Sequence, residues 1–420
     1  MNSKERLAAT LDHRQPDRVC VDFGATLVTG IAATALSKLR QAILGDKDYR
    51  VKIIDPFEML GEVDDRLRDT LEVDVVGLAG RTNLYGFENA DWKPFELFDG
   101  TPVLVPGAFN VTVDPNGDLL IHPQGDTSAP PSGRMPKGGF YFDTIIRQEP
   151  IDDARLDPAD NLEEFSLLSD AQVTDFAQRA EAIARQTDCG VIISLPGAGL
   201  GDIAIVPAPF LKHPRGIRDV EEWYVSTVLR REYVRDVFEK QTEIAVENIK
   251  RLGKAVGTRA HVAFVCGTDF GTQRGTFISK HAYRDLYSPF YRRINRAVHQ
   301  HTPWKTFKHS CGSVIDLLPD FIDDGFDVLN PVQCSAAGMD PKTLKKEFGK
   351  QIAFWGGGVD TQKTLPFGAP EEVYREVRER IDIFNDGGGF VFNAIHNIQA
   401  TTPVENMQAM LRAIRDSSLA

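Results

Sequence analysis

The sequence predicts a (β/α)8 TIM barrel, on three observations. Short apolar or β-branched runs alternate with longer helical patterns, eight such runs occur, and five consecutive runs end in polar or metal-binding side chains. Alternating strand and helix marks βα units on a parallel sheet, and eight units close that sheet into a barrel. The predicted strands are 19–23, 73–78, 190–195, 261–266, 304–309, 327–330, 352–355 and 389–393. With 420 residues, 42% hydrophobic and 26% charged, the chain has the length for one such domain over 1–420.

Helix signals stand between the strands. Ser313 reads as an N-cap with Asp316 in the third helical position, and Val314, Leu317, Leu318, Phe321 and Ile322 follow at helical spacing. Asp340 precedes Pro341, and Thr402-Pro403-Val404-Glu405 reads as a capping box with proline in the first turn. The stretch 92–144 departs from the pattern. It is rich in Gly and Pro, and it predicts hairpins around Asp99-Gly100 and Asn116-Gly117 as an insertion after the second strand. The Pro130-Pro131-Ser132-Gly133 tip is expected either as a mobile loop over the barrel mouth or as a solvent-exposed excursion.

A net charge of −12 argues against nucleic acid as a partner, since such proteins carry a basic stripe. No run approaches the roughly 18 apolar residues of a membrane span, and the polar amphipathic start Met1-Asn2-Ser3-Lys4-Glu5-Arg6 is unlike a signal peptide. A cytoplasmic protein with no membrane partner is expected. Five scattered cysteines, Cys20, Cys189, Cys266, Cys311 and Cys334, do not form a disulfide framework and read as free thiols or ligands.

Barrel enzymes place their chemistry at the C-terminal ends of the strands. There the chain carries Asp269 and Gln273 after the fourth strand, His309 and Cys311 after the fifth, Cys334 after the sixth, Gly356-Gly357-Gly358 after the seventh and His396 after the eighth. Two residues apart, His309 and Cys311 project to one side of a strand and suit a borderline-soft ion such as zinc. A catalytic zinc needs a third protein ligand. His396 is favoured, Cys334 is the alternate, and Cys266 reads better as a packed small hydrophobe. Asp269 is a candidate proton acceptor or substrate anchor, or else a loop cap, and Gln273 a candidate orienting group. The triple glycine permits a ligand to approach the backbone or makes a tight turn. It lacks the G-x-G-x-x-G arrangement of a dinucleotide site.

The segments His309-Ser310-Cys311-Gly312, Asn330-Pro331-Val332-Gln333, Gly338-Met339-Asp340-Pro341, Phe354-Trp355-Gly356-Gly357, Ala394-Ile395-His396-Asn397-Ile398 and Thr402-Pro403-Val404-Glu405-Asn406 resemble the uroporphyrinogen decarboxylase superfamily. Within it, they look like the corrinoid-linked methyltransferase branch. The resemblance implies a barrel with the site in its mouth, a homodimer, and a His-x-Cys pair that binds zinc with a more C-terminal cysteine. It also implies methyl transfer between a small methylated substrate or thiol and cobalamin carried by a corrinoid partner protein. His309 and Cys311 match the pair; His396 stands near where the further cysteine is expected, and it also resembles a histidine of the decarboxylases. The N-terminal arginine-bearing segment that grips uroporphyrinogen is replaced by Asp22-Phe23-Gly24-Ala25-Thr26, so that polyanionic substrate is not expected. A metal-free decarboxylase of a small acid, with His396 or Asp269 delivering the proton, and a non-catalytic binding protein are the alternatives.

Overall fold

The computed structural model describes residues 1–418. Eight strands form one parallel sheet: β1 Cys20–Val21, β2 Val75–Leu78, β3 Gly190–Ser194, β4 Val262–Cys266, β5 Lys305–His309, β6 Val328–Asn330, β7 Ala353–Trp355 and β8 Phe390–Phe392. Their order around the sheet is β1-β8-β7-β6-β5-β4-β3-β2, which with the surrounding helices makes a nearly closed (β/α)8 barrel. Every predicted strand contains one of these eight, shorter at one or both ends. Between β1 and β2 the ladder is replaced by two bonds, from Asp74 N to Val21 O (2.8 Å) and from Val21 N to the Asp74 carboxylate (2.9 Å).

The barrel interior is filled by Val75, Ile192, Val262, Phe307, Val328, Trp355 and Val391. Leu7 and Leu11 of the first helix, Ser3–Leu11, pack into the same cluster beside Cys20 of β1. A second, larger apolar layer lies between the sheet and the helices around it. This is the two-layer core expected of the fold, and the chemistry is confined to the other pole.

The hairpins at Asp99-Gly100 and Asn116-Gly117 are present, as Lys93–Glu96 with Pro102–Val105 and Val111–Val113 with Leu119–Ile121. The first hairpin joins Val51–Asp55 in parallel, and the second continues into Gly133–Met135 and Asp143–Thr144, giving two small four-stranded sheets. Ser132, expected at a mobile tip, is fully buried and its N–H bonds Ile121 O (2.9 Å). That stretch is held because Tyr85, Phe109 and Phe142 pack edge to face beside it.

Two expected caps are not formed. Helix Leu318–Asp323 starts beyond Ser313, whose hydroxyl instead donates to Ala337 O (2.6 Å) and straps one mouth loop to the next. Helix Val404–Ser417 follows Pro403 with no side-chain cap. Asp340 does cap its helix, accepting from Thr343 N (2.9 Å). Among the described residues, no helix is long and apolar enough to cross a membrane.

Candidate functional site

Strand alternation sets the first ligand candidate. Phe307 points into the barrel, so His309 two residues on shares its face, at the mouth end of β5. Lys308 points the other way, fully buried among the rings of Phe270, Tyr291 and Phe321, and donates to Thr268 O (2.6 Å).

Cys311 lies past the end of β5, where alternation no longer applies, and loop packing brings it back. A Cβ built on Gly271 would stand 2.5 Å from Cys311 O, and one on Gly312, at φ +82°, would stand 2.5 Å from the Gly271 carbonyl carbon. Two glycines are therefore required for the loops after β4 and β5 to touch backbone to backbone. The contact is locked by Phe270 N to Ser310 Oγ (2.9 Å), Cys311 N to Asp269 Oδ1 (2.7 Å) and Gly312 N to Gln333 Oε1 (2.7 Å). Cys311 Sγ then lies 3.4 Å from His309 Nε2.

His396, beyond β8, completes the group. Its ring stands edge-on to that of His309 at 5.6 Å between centroids, and the ligand atoms of His309, Cys311 and His396 all lie within 4.8 Å of one another. Asn330 fixes the imidazole of His309. Asn330 Nδ2 donates to Trp355 O (2.9 Å), which assigns its Oδ1 as the acceptor facing His309 Nδ1 (2.6 Å). The proton then sits on Nδ1 and the Nε2 lone pair faces the cluster, as for a metal-ligating histidine.

The electrostatics agree with a cation site. Burial, followed by the proximity of His396, holds the His309 imidazole down to about 3, so it is neutral at ordinary pH. Burial also lowers His396. The Cys311 thiol is raised well above its usual range, by burial first and then by the carboxylates of Asp269 and Glu58. It keeps its proton until a cation displaces it. Two neutral imidazoles and a displaceable thiol proton fit a zinc ion with an open fourth position.

Other candidates fall elsewhere. Asp269 is mostly buried, 3.8 Å from His309 Nε2, and burial raises its carboxyl. Gln273 is exposed on the rim and donates to Gln362 Oε1 (3.3 Å); Gln333 holds the His-x-Cys loop instead. Cys334 turns its sulfur to Val332 O (3.4 Å) and Gly357 O (3.9 Å) and is not in the three-residue group. Cys266 is buried with its sulfur 3.2 Å from Lys308 Nζ. Gly357, at φ +86°, makes a turn that packs on Val332.

Sequence reasoning missed Glu58, whose carboxylate accepts from Asn397 Nδ2 (2.6 Å), and Tyr224, whose hydroxyl donates to Asp269 O (3.3 Å). It also missed Asp202, which accepts from Gly267 N (3.2 Å) and whose carboxyl is raised by burial and then by Asp269.

The uroporphyrinogen decarboxylase profile matches residues 206–417, half of the chain and all of its metal-ligand candidates. The chain belongs to the uroporphyrinogen decarboxylase family. The methylated-thiol–coenzyme M methyltransferase of Methanosarcina mazei is 25% identical over 195 residues, 41% of this chain and 49% of that protein. The uroporphyrinogen decarboxylase of Mannheimia succiniciproducens is 30% identical over 96 residues, 22% of this chain and 26% of that protein. These alignments span about half the length of the first relative and about a quarter of the second. A solved methyltransferase from Methanosarcina mazei superposes over 99% of both chains with a TM-score of 0.53 at 15% identity, which establishes a shared fold.

Proposed function

We propose that this family member is a zinc-dependent methyltransferase that exchanges a methyl group between a small methylated substrate or thiol and a corrinoid carried by a partner protein. The observation that carries the reading is the convergence of His309, Cys311 and His396 within 4.8 Å at the barrel mouth. The name of the first relative supports it. His309 offers Nε2, oriented through Asn330; Cys311 offers its sulfur after losing its proton; His396 is the third donor. Asp269 positions Cys311 through its backbone N–H and sets a carboxyl, raised by burial, beside the two imidazoles. Bound zinc supplies Lewis acidity that polarises the heteroatom bearing the methyl group or lowers the pKa of an incoming thiol. In the demethylating direction the bond between methyl carbon and heteroatom breaks, and its electron pair stays on the heteroatom, which takes a proton. The methyl carbon is accepted by the reduced corrinoid. Asp269 is the proton-handling side chain beside the cluster, while Gln273 sits on the rim, where a partner's corrin would pass. Cys334 remains a reserve ligand that a loop shift would have to bring in.

Protein purified without chelator and supplied with zinc is expected to hold one ion per chain, and to methylate free cob(I)alamin from a methyl donor or to demethylate methylcobalamin with a thiol. Absence of bound metal defeats the reading. The family and the second relative favour one rival, a metal-free decarboxylase, which would keep full activity in chelator.

A further inference from the structure

Lys308 departs from the packing rule of the barrel. Outward-facing strand positions meet the helices with apolar side chains, as Leu329, Phe354, Phe390 and Phe392 do on the strands that follow. Lys308 faces the same layer and is fully buried. Its Nζ donates to Thr268 O (2.6 Å), lies 3.2 Å from Cys266 Sγ, and stands 4.7, 5.4 and 5.6 Å from the ring centroids of Phe270, Tyr291 and Phe321. Neither of these two polar partners is a carboxylate. An ammonium taken out of water with no carboxylate in contact is costly, and such a group, kept where an apolar residue would pack, marks a functional demand.

We propose that Lys308 is a positioning residue of the metal site, holding the loop after β4 in the place from which Asp269 fixes Cys311. The role rests on the zinc reading of the cluster. Three consecutive residues of that loop are tied to the end of β5 and the turn beyond it: Thr268 O to Lys308 Nζ, Asp269 Oδ1 to Cys311 N (2.7 Å) and Phe270 N to Ser310 Oγ (2.9 Å). Thr268 is itself fully buried, and its hydroxyl donates to Leu200 O (2.7 Å) and accepts from the Tyr291 hydroxyl (3.0 Å). It is thus held from three elements, and Lys308 supplies the bond that joins it to the strand carrying His309.

A neutral donor could reach a carbonyl, so the charge has its own part. A charge-assisted hydrogen bond is roughly twice as strong as a neutral one. Burial is the larger influence at Asp269, Asp202, Cys311 and His309, and the Lys308 charge is felt behind it at all four. It favours the anionic form of the first three and opposes protonation of the imidazole. A positive charge so placed also repels a bound dication, so its loss taken alone would tighten zinc binding. The positioning role predicts the opposite sign.

The test is Lys308→Met, which fills the space among the three rings without the charge or the donor. The metal-free variant is expected to keep the wild-type urea midpoint or exceed it, because the desolvated ammonium costs more than the Thr268 carbonyl left bare. Hydrogen exchange of the metal-free chain should quicken about tenfold at the N–H groups of Phe270, Cys311 and Gly312 and stay unchanged at the lower pole. Zinc affinity, read by competition against a chromophoric chelator, should fall about 10–100-fold, and the thiolate-to-metal charge-transfer band of the cobalt-substituted chain should lose intensity. A variant that does not fold, or whose midpoint drops, assigns Lys308 to the fold; one that binds zinc as tightly as wild type or more tightly assigns it to the field alone. Either result overturns the proposal. Wild type that takes up no zinc sinks the metal reading, with amide exchange still deciding whether Lys308 holds the loop. Wild type that takes up zinc, beside a variant with unchanged exchange and affinity, sinks the Lys308 assignment alone.

Discussion

Two carboxylates that are fully buried sit on either side of the barrel seam and are treated in opposite ways. Asp74, just before β2 at the lower pole, receives Arg6 (2.6 Å), Arg18 (2.7 Å) and the N–H of Val21 (2.9 Å). Asp22, just after β1 on the mouth side, accepts from the neutral donors Ala25 N and Trp355 Nε1, both at 2.9 Å. Burial pushes its carboxyl up to about 6. The lower pole neutralises its charge and holds the sheet closed. The mouth gives Asp22 no ion-pair partner and gives Asp269 a backbone N–H and the charge of the buried Lys308 in place of an ion pair, at a cost in stability that active sites commonly carry. The same division between a stabilising pole and a reactive one is general for this fold.

The contrast is sharpest where a mouth residue can be removed without harming the fold. Cys311→Ser and His309→Ala should each weaken zinc binding by more than about 100-fold, since a ligand is lost outright. Their urea midpoints should stay near that of the metal-free wild type. Competition against a chromophoric chelator gives the affinity and circular dichroism the midpoint, and a variant that retains zinc would break the comparison from the mouth side. From the other pole, Asp74→Ala leaves the buried Arg6 guanidinium with Asp17 as its one carboxylate partner and takes from Arg18 and Val21 N–H the group they share, and it should cost about 3 kcal/mol in urea unfolding, with zinc affinity unchanged in the folded protein.

Asp22 gives a smaller, pH-dependent effect. Its folded pKa lies above the unfolded value, so the native state holds the proton more tightly, and the stabilising contribution is complete below the unfolded pKa of 3.8 and lost as pH rises to about 6. Relative to Asp22→Asn, which does not titrate, the wild type should lose up to about 3 kcal/mol across that window. Unfolding free energies measured at several pH values check the slope; a flat difference would mean that the mouth compensates this carboxylate after all.

The strands were legible because buried parallel strands are continuous apolar runs bounded by turn residues, and the eight such runs here correspond to the eight barrel strands. The positions of His309 and His396 followed from strand ends. The rest of the site depends on loop trajectories that no local pattern encodes. Gln273 and Gln333 look equivalent in sequence, yet the Thr272 N to Gly275 O bond (2.7 Å) closes a tight turn that carries Gln273 outward, while Gln333 folds under Gly312. Glu58 reaches the mouth from a turn between two short strands outside the barrel, tied to Asn397 from far along the chain. Cys311 was read as a strand neighbour of His309, whereas it is held beyond the strand by the Gly271 and Gly312 contact. Ser313 has the composition of a cap but its hydroxyl straps a neighbouring loop, and Thr402 makes no capping bond to the helix that follows it.

The finest test concerns orientation. Asn330 is not itself in the ligand group, but its amide, anchored on Trp355 O, dictates which nitrogen of His309 carries the proton. In Asn330→Ala the His309 Nδ1 loses its partner, the Nδ1 and Nε2 tautomers approach equal weight, and the ring is free to turn within its pocket. An outer partner of this kind is worth about 10–100-fold in metal affinity, less than a ligand and without the loss of stability expected at Asp74. Asn330→Asp should go further than restoring the acceptor, because a carboxylate raises the basicity of the imidazole and binds zinc as well as or better than wild type. Zinc competition on the three proteins, with 15N spectra of the His309 ring to read its tautomer, separates the cases. If the alanine variant binds zinc normally while its tautomer shifts, orientation does not govern the metal, and if neither changes, the Asn330 contact belongs to packing and the mouth is less finely built than its hydrogen bonds imply.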